Sequence, residues 1–104
     1  MNIKNTINEM SVVAKALSDP ARIKIIELLC QGDYCVNAMA QFLKITQPAV
    51  SQHLKILKQA ELVTPEKKGY WVHYSVNKDR IEQYRSYLCQ LTIPKEEKSN
   101  ARKK

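Results

Sequence analysis

Two short amphipathic stretches with almost nothing between them constrain this chain more than any other feature. Residues 35–58 read CVNAMAQFLKITQPAVSQHLKILK. In the first stretch Val36, Met39, Ala40 and Leu43 recur at spacings of 3, 1 and 3; in the second Val50, Leu54 and Leu57 recur at 4 and 3. Each spacing lays one apolar stripe along one helix face. Thr46 is a good N-cap for the second helix, and Pro48 falls in its first turn, where a missing N–H is tolerated. Two such helices joined by about three residues predict a helix-turn-helix. The stripe then decides what faces outward: Gln47, Pro48, Ser51, Gln52 and Lys55 lie opposite it. Gln and Ser can read base edges and Lys can meet phosphate. The plain alternative is a helical hairpin whose polar face meets only water.

The residues C-terminal to this pair of helices favour the first reading. Leu62-Val63-Thr64 and Trp71–Val76 are β-branched and aromatic runs. The second alternates, with Val72, Tyr74 and Val76 on one face and Trp71, His73 and Ser75 on the other. Between them lies 65–70, PEKKGY, in which Gly69 supplies the positive φ of a tight turn and Lys67 and Lys68 place charge at the tip. A basic hairpin directly after a recognition helix is a wing, and its lysines would meet backbone phosphates beside the groove. An ordinary solubilising hairpin would look the same from the lysines alone.

The chain has 104 residues, enough for one domain, and its formal net charge is +7. That surplus favours an acidic polymer as partner. No apolar run approaches the ~20 residues of a membrane span, and the first residues do not form a signal peptide. The expectation is therefore a cytoplasmic protein with no membrane partner. Three cysteines make an odd number, unsuited to a secreted disulfide framework.

Around this centre the sequence predicts an α-α-α-α-β-β-α order, mainly α with a small β-hairpin. A first helix over 3–17 carries the stripe Ile3, Ile7, Met10, Ala14 and Leu17. A second over about 20–31 is capped by Ser18 or Asp19, opened by Pro20 and ended by Gly32; it is apolar on more than one side and should be central. A last helix from near Lys78 carries Ile81, Tyr84, Leu88 and Leu91 and stops at Pro94. Residues 1–92 then form the winged helix-turn-helix and dimerisation domain, and 93–104 a basic tail expected to be disordered. A winged helix needs only the three middle helices and the hairpin. The first and last helices are surplus, and the alternative to packing both back on the same subunit is pairing them across a two-fold axis, which would bury their stripes. Such a homodimer would hold two recognition helices about 34 Å apart, one turn of duplex, to read an inverted repeat.

At the level of motifs the chain resembles the ArsR (ArsR/SmtB) family of dimeric winged-helix repressors. The likeness rests on 16–29, ALSDPARIKIIELL, on 46–58, TQPAVSQHLKILK, and on 68–76, KGYWVHYSV, and spans about residues 10–91 in unbroken order. It implies a dimer bound to a double-stranded operator and released when an inducer binds or modifies it, with no cofactor required for DNA binding. On that likeness Gln47, Ser51 and Gln52 match positions that face the major groove, and Lys67, Lys68 and Tyr70 match wing positions near the backbone; Thr46, Pro48 and Lys55 complete the expected DNA-binding set. Arg22 matches a family arginine, with a helix-surface ion pair as its plain role; His53 reads as a packing or phosphate residue. Two departures bear on local geometry: Lys44 stands where the family often has Gly in the turn, and Pro65 interrupts the first wing strand.

The resemblance also frames what the protein would sense. The last helix holds no His, so a tetrahedral zinc or nickel site there is not expected. Arsenic sensors of the family carry Cys-Val-Cys at the start of the third helix; here Cys35-Val36-Asn37 keeps only the first thiol. Thiol sensors pair a cysteine on the second helix with one on the last. Against that pattern Cys30 lies about a turn late and Cys89 about a turn early, displacements that compensate if the helices run antiparallel. Cys30, Cys35 and Cys89 together would suit trivalent arsenic or antimony, which take soft trigonal sulfur sites. Cys30 and Cys89 alone would suit a disulfide or persulfide switch. Each thiol taken singly is more simply a packing residue. Two other function classes stay open from the residues: an interaction or architectural module that merely uses this fold, and an enzyme. Against the last stands the lack of any nucleophile–base pair, phosphate loop or paired carboxylates.

Overall fold

The computed structural model describes residues 3–93, and its elements run α1 (Ile3–Ala16), α2 (Pro20–Gln31), α3 (Val36–Leu43), α4 (Gln47–Gln59), β1 (Val63–Lys68), β2 (Trp71–Val76) and α5 (Lys78–Leu91). This is the expected order. The strands form one antiparallel hairpin, with Val63 opposite Val76 and Lys68 opposite Trp71. Apart from Ile93, the tail expected over 93–104 lies outside the described residues.

Three helices and the base of the hairpin supply the centre of the core. Ile25, Leu28 and Leu29 of α2, Met39 and Ala40 of α3, and Val50, Leu54 and Leu57 of α4 are buried together with Leu62 and Val63. α2 touches α3, α4 and β2, the central position its two-sided apolar pattern predicts. Three helices start on a side-chain cap: Asp19 accepts from Ala21 N–H, Thr46 from Ala49 N–H and Asn77 from Arg80 N–H. α3 differs, because Cys35 at its N-cap makes no such bond.

Two sequence expectations, on the α1 stripe and on Pro65, need correcting, and those on α5 and β2 are refined. The inner face of α1 is Met10, Val13, Ala16 and Leu17, whereas Ile7 and Ala14, counted into one stripe with Met10, are exposed; Ile3's side chain lies outside the described residues. In α5, Ile81, Tyr84 and Tyr87 pack on the core, but Leu88 and Leu91 do not. In β2 only Tyr74 and Val76 reach the core, because Val72 lies too near the hairpin tip. Finally, β1 does not end before Pro65: it runs unbroken to Lys68, with Pro65 paired to Tyr74. A two-stranded sheet leaves each strand a free outer edge, and a proline fits where its absent N–H would face that edge.

The turn between α3 and α4 shows why glycine would suit it. Lys44 has φ 59° and ψ 43°, the left-handed region, and its N–H returns to Ala40 O. Glu61, just past α4, is also left-handed at φ 62°, and Leu62 N–H then closes on Leu57 O at 2.9 Å. A side chain with a Cβ is disfavoured there by about 1–2 kcal/mol.

One polar strut locks α4 against the other helices. The Arg22 side chain is 12% exposed. Its Nε donates to Ala16 O at 2.6 Å, at the end of α1, and its Nη1 to His53 Nδ1 at 3.2 Å, on α4. A guanidinium can only donate, so His53 Nδ1 is the acceptor and the ring proton sits on Nε2. Arg22 is thus a tie between three helices, more than the surface ion pair its 4.0 Å approach to Asp19 would make.

Thermal melts test both the turn and the strut. Lys44→Gly should stabilise the fold by about 1 kcal/mol, raising Tm by a few degrees. Arg22→Ala should destabilise it by about 2 kcal/mol, and Arg22→Lys should recover little, since one ammonium cannot serve both acceptors in that forked geometry.

Candidate nucleic-acid interface

Burial of Val50, Leu54 and Leu57 leaves the rest of α4 in solvent. Gln47, Pro48, Ser51, Gln52 and Lys55 are all exposed, as is Thr46 ahead of them. They form one polar surface at the N-terminal half of the helix. Gln47 is not free to rotate: its Nε2 donates to Asn37 Oδ1 on α3 at 2.7 Å. Sequence reasoning passed over Asn37, for which no spacing rule exists.

The wing lies beside this surface. Lys67, Lys68 and Tyr70 are exposed, Tyr70 almost completely at 99%, and Gly69 has the positive φ of 64° that closes the turn. The two lysines are not equivalent. Asp33, in the loop between α2 and α3, accepts from Lys68 Nζ at 3.0 Å through Oδ2 and pairs with His73 Nδ1 at 2.8 Å through Oδ1. A backbone bridge joins Cys35 to His73 in the same place. One carboxylate therefore ties both wing strands to the α2–α3 loop. The Lys68 ammonium, and next His73, hold the Asp33 carboxyl below the usual carboxylate range, and Asp33 raises Lys68 in return. Nothing in the sequence pattern pointed to Asp33.

At the far end of α4, Asn77 Nδ2 donates to Glu61 O at 3.0 Å and Arg80 Nε to Ala60 O at 3.1 Å, fixing the start of α5 against the close of the recognition helix.

Cys30 and Cys89 are exposed and Cys35 is half-buried; all three are free. Cys89 Sγ accepts from Arg85 Nη1 at 3.6 Å. Among the described residues no group of three His, Cys, Asp or Glu side chains is gathered to hold a metal ion, so one chain alone does not assemble a three-sulfur site.

A helix-turn-helix followed by a charged wing, with its second helix anchored inward and polar outward, is the architecture of a DNA-binding regulator. Comparison with known proteins gives the family. Residues 19–64 match the arsR family of bacterial regulatory proteins. The chain is 46% identical over 68 residues to the transcriptional repressor SdpR of Bacillus subtilis, across 65% of this chain and 76% of that protein. It is 43% identical over 68 residues to the arsenical resistance operon repressor of the same organism, covering 64% of this chain and 65% of that one. Among solved structures, an ArsR-like transcriptional regulator from Rhodococcus superposes with a TM-score of 0.78 at 26% identity, over 84% of this chain and 82% of that one. The homodimeric winged helix-turn-helix DNA-binding domain of a Mycobacterium bovis protein shares the fold at a TM-score of 0.69 and 24% identity, over 85% and 84%. This chain belongs to the ArsR family, which consists of DNA-binding transcriptional regulators and not of enzymes. No helix among the described residues is long and apolar enough to cross a membrane.

The Asp33 tie gives a pH signature. A carboxyl whose pKa is lowered on folding adds stability above its unfolded value, near 4, and loses it as pH falls through the lowered folded value. The stability deficit of Asp33→Asn, measured by denaturant melts, should therefore be present at pH 7 and shrink below about pH 4.

Proposed function

We propose that this chain is a repressor that binds a double-stranded operator of inverted-repeat form as a homodimer and is released by a thiol-directed signal. The observation that carries the DNA reading is the two-sided character of α4: Val50, Leu54 and Leu57 are buried while Gln47, Ser51, Gln52 and Lys55 stand in solvent. Gln47, Ser51 and Gln52 read base edges in the major groove. Lys55 and Lys67 meet phosphates, with Thr46 and Pro48 setting the helix entry and Tyr70 at the wing tip. Lys68 joins them by exchanging Asp33 for a phosphate.

Dimerisation is supported by what one chain leaves uncovered. None of the 14 residues of α5 is buried, and Leu88 and Leu91, the latter 59% exposed, continue its apolar side past the core. Ile7 and Val12 of α1 are exposed as well. α1 and α5 touch each other, so the four side chains belong to neighbouring helices. A neighbour of the same fold is a homodimer, which supports two-fold assembly of this chain.

The signal reading rests on chemistry and kinship. Cys30 and Cys89 are exposed thiols and Cys35 a partly exposed one, and one relative is an arsenical resistance operon repressor. Thiolates suit trivalent arsenic or antimony, and the same sulfurs suit an oxidant or polysulfide through a Cys30–Cys89 bond. Because one chain does not gather the three sulfurs, a shared site requires either a sulfur from the second subunit or a rearrangement.

The expected outcomes separate the roles. Gln47→Ala and Ser51→Ala should relax sequence preference, whereas Lys67→Ala should weaken all duplexes alike and reduce the salt slope by about 1. Lys68→Ala should change that slope less, its charge being already balanced by Asp33. Identical behaviour of both classes in a binding titration would refute the assignment. Leu88→Lys with Leu91→Lys should give a monomer by sedimentation. For the signal, operator complexes of wild type and of Cys30→Ser, Cys35→Ser and Cys89→Ser are titrated with arsenite, zinc, peroxide and polysulfide. Release by one agent, lost in at least two serine variants, is expected; release by none removes the thiol reading.

A further inference from the structure

An open cleft of about 280 Å³ separates the wing from the start of the recognition helix. Cys35 with Val36 and Asn37 of α3, Gln47 of α4, Tyr70 of the turn, and Trp71 and Val72 of β2 line it. Trp71 is 63% exposed and Val72 42%, a large apolar surface for a charged wing to leave in water. The pairing register sets Lys68 directly across from Trp71 and Lys67 across from Val72. Among the described residues no carboxylate lines the cleft, and Gln47 belongs both to it and to the outer face of α4.

We propose that this cleft seats one sugar-phosphate strand of the bound duplex, with Trp71 packed on deoxyribose. The inference rests on the reading of α4 as the DNA-facing helix and adds to it a contact residue outside both the helix and the lysines. Continuity with the outer face of α4 through Gln47, and the charge of Lys67 on the neighbouring strand, select the occupant. A cation outside the cleft, with an indole and a valine lining it, matches a polymer that alternates anionic phosphate with apolar sugar edge. The Asn37–Gln47 hydrogen bond leaves Asn37 Nδ2 as a further donor toward phosphate on the opposite wall. Packing an exposed aromatic side chain against a sugar removes apolar area from water without sequence preference, so the contact strengthens every complex and discriminates none.

Trp71 is the only tryptophan in the chain, so its fluorescence reports the cleft without a label. The full-length protein is mixed with a duplex that it selects from a random pool, and with a scrambled duplex. Acrylamide quenching of Trp71 should fall several-fold on binding either. Trp71→Ala should weaken both complexes about tenfold with an unchanged salt slope, and Trp71→Phe should restore most of the affinity. A circular dichroism melt of each variant checks folding, and Val72→Ser, which keeps the tryptophan, should lose affinity in the same sequence-independent way. If the duplex binds while Trp71 stays as accessible as in the free protein and Trp71→Ala binds normally, the cleft proposal is overturned and the DNA reading stands. If wild type binds no duplex, both fall. Protection of Trp71 that rises with protein concentration in the absence of DNA would assign the cleft to a second copy of the chain, and would likewise overturn the proposal.

Discussion

Three side chains, Val50, Leu54 and Leu57, fix what α4 can do. They are buried within the one core that α2, α3 and the base of the hairpin also share. Rotating the helix to present a different face would expose three aliphatic groups, at about 1.5–3 kcal/mol each, so its outward set of residues is held as firmly as its inward one. Arg22 adds direction to that burial by tying the helix, through His53, to the end of α1. Precision in the outer surface is therefore inherited from the core and not built at the surface itself.

The wing obeys a different logic. Beyond Tyr74 no apolar side chain of the wing packs on the core among the described residues, and its outer part is held by Asp33 and by the backbone bridge at Cys35. These contacts are polar and exposed, and surface ion pairs are worth little. The recognition helix is thus a rigid part and the wing a lightly tethered one. That division suits a surface whose central element must hold register and whose flank must adapt to the curvature of a backbone.

Much of this was legible in the residues because period and punctuation agree. The 3,1,3 and 4,3 spacings, Thr46 with Pro48, and Gly69 between two β-branched runs each have a single simple meaning. The polar face of α4 was equally readable, since it is the complement of an apolar stripe. Failures came where partners lie far apart in sequence. Asp33 finds Lys68 and His73 across 35 and 40 residues, and Asn37 finds Gln47 across 10. No periodicity encodes such meetings. The α1 stripe misled for another reason: Ile7 and Met10 lie close on the helical wheel, but the core covers a face centred on Val13, and apolarity alone does not say which neighbour is present. Pro65 misled because a proline excludes a paired N–H, not a strand with a free edge.

The uncovered side of α5 has a consequence for the life of the polypeptide. Fourteen residues are too few for a helix to persist on its own in water, and this one has no fully buried side chain to hold it. If a second copy covers Leu88 and Leu91, completing the last helix and joining two subunits become one event governed by mass action. Dilution alone would then fray the C-terminal part of the molecule, and the number of copies in a cell would set the fraction that is fully folded.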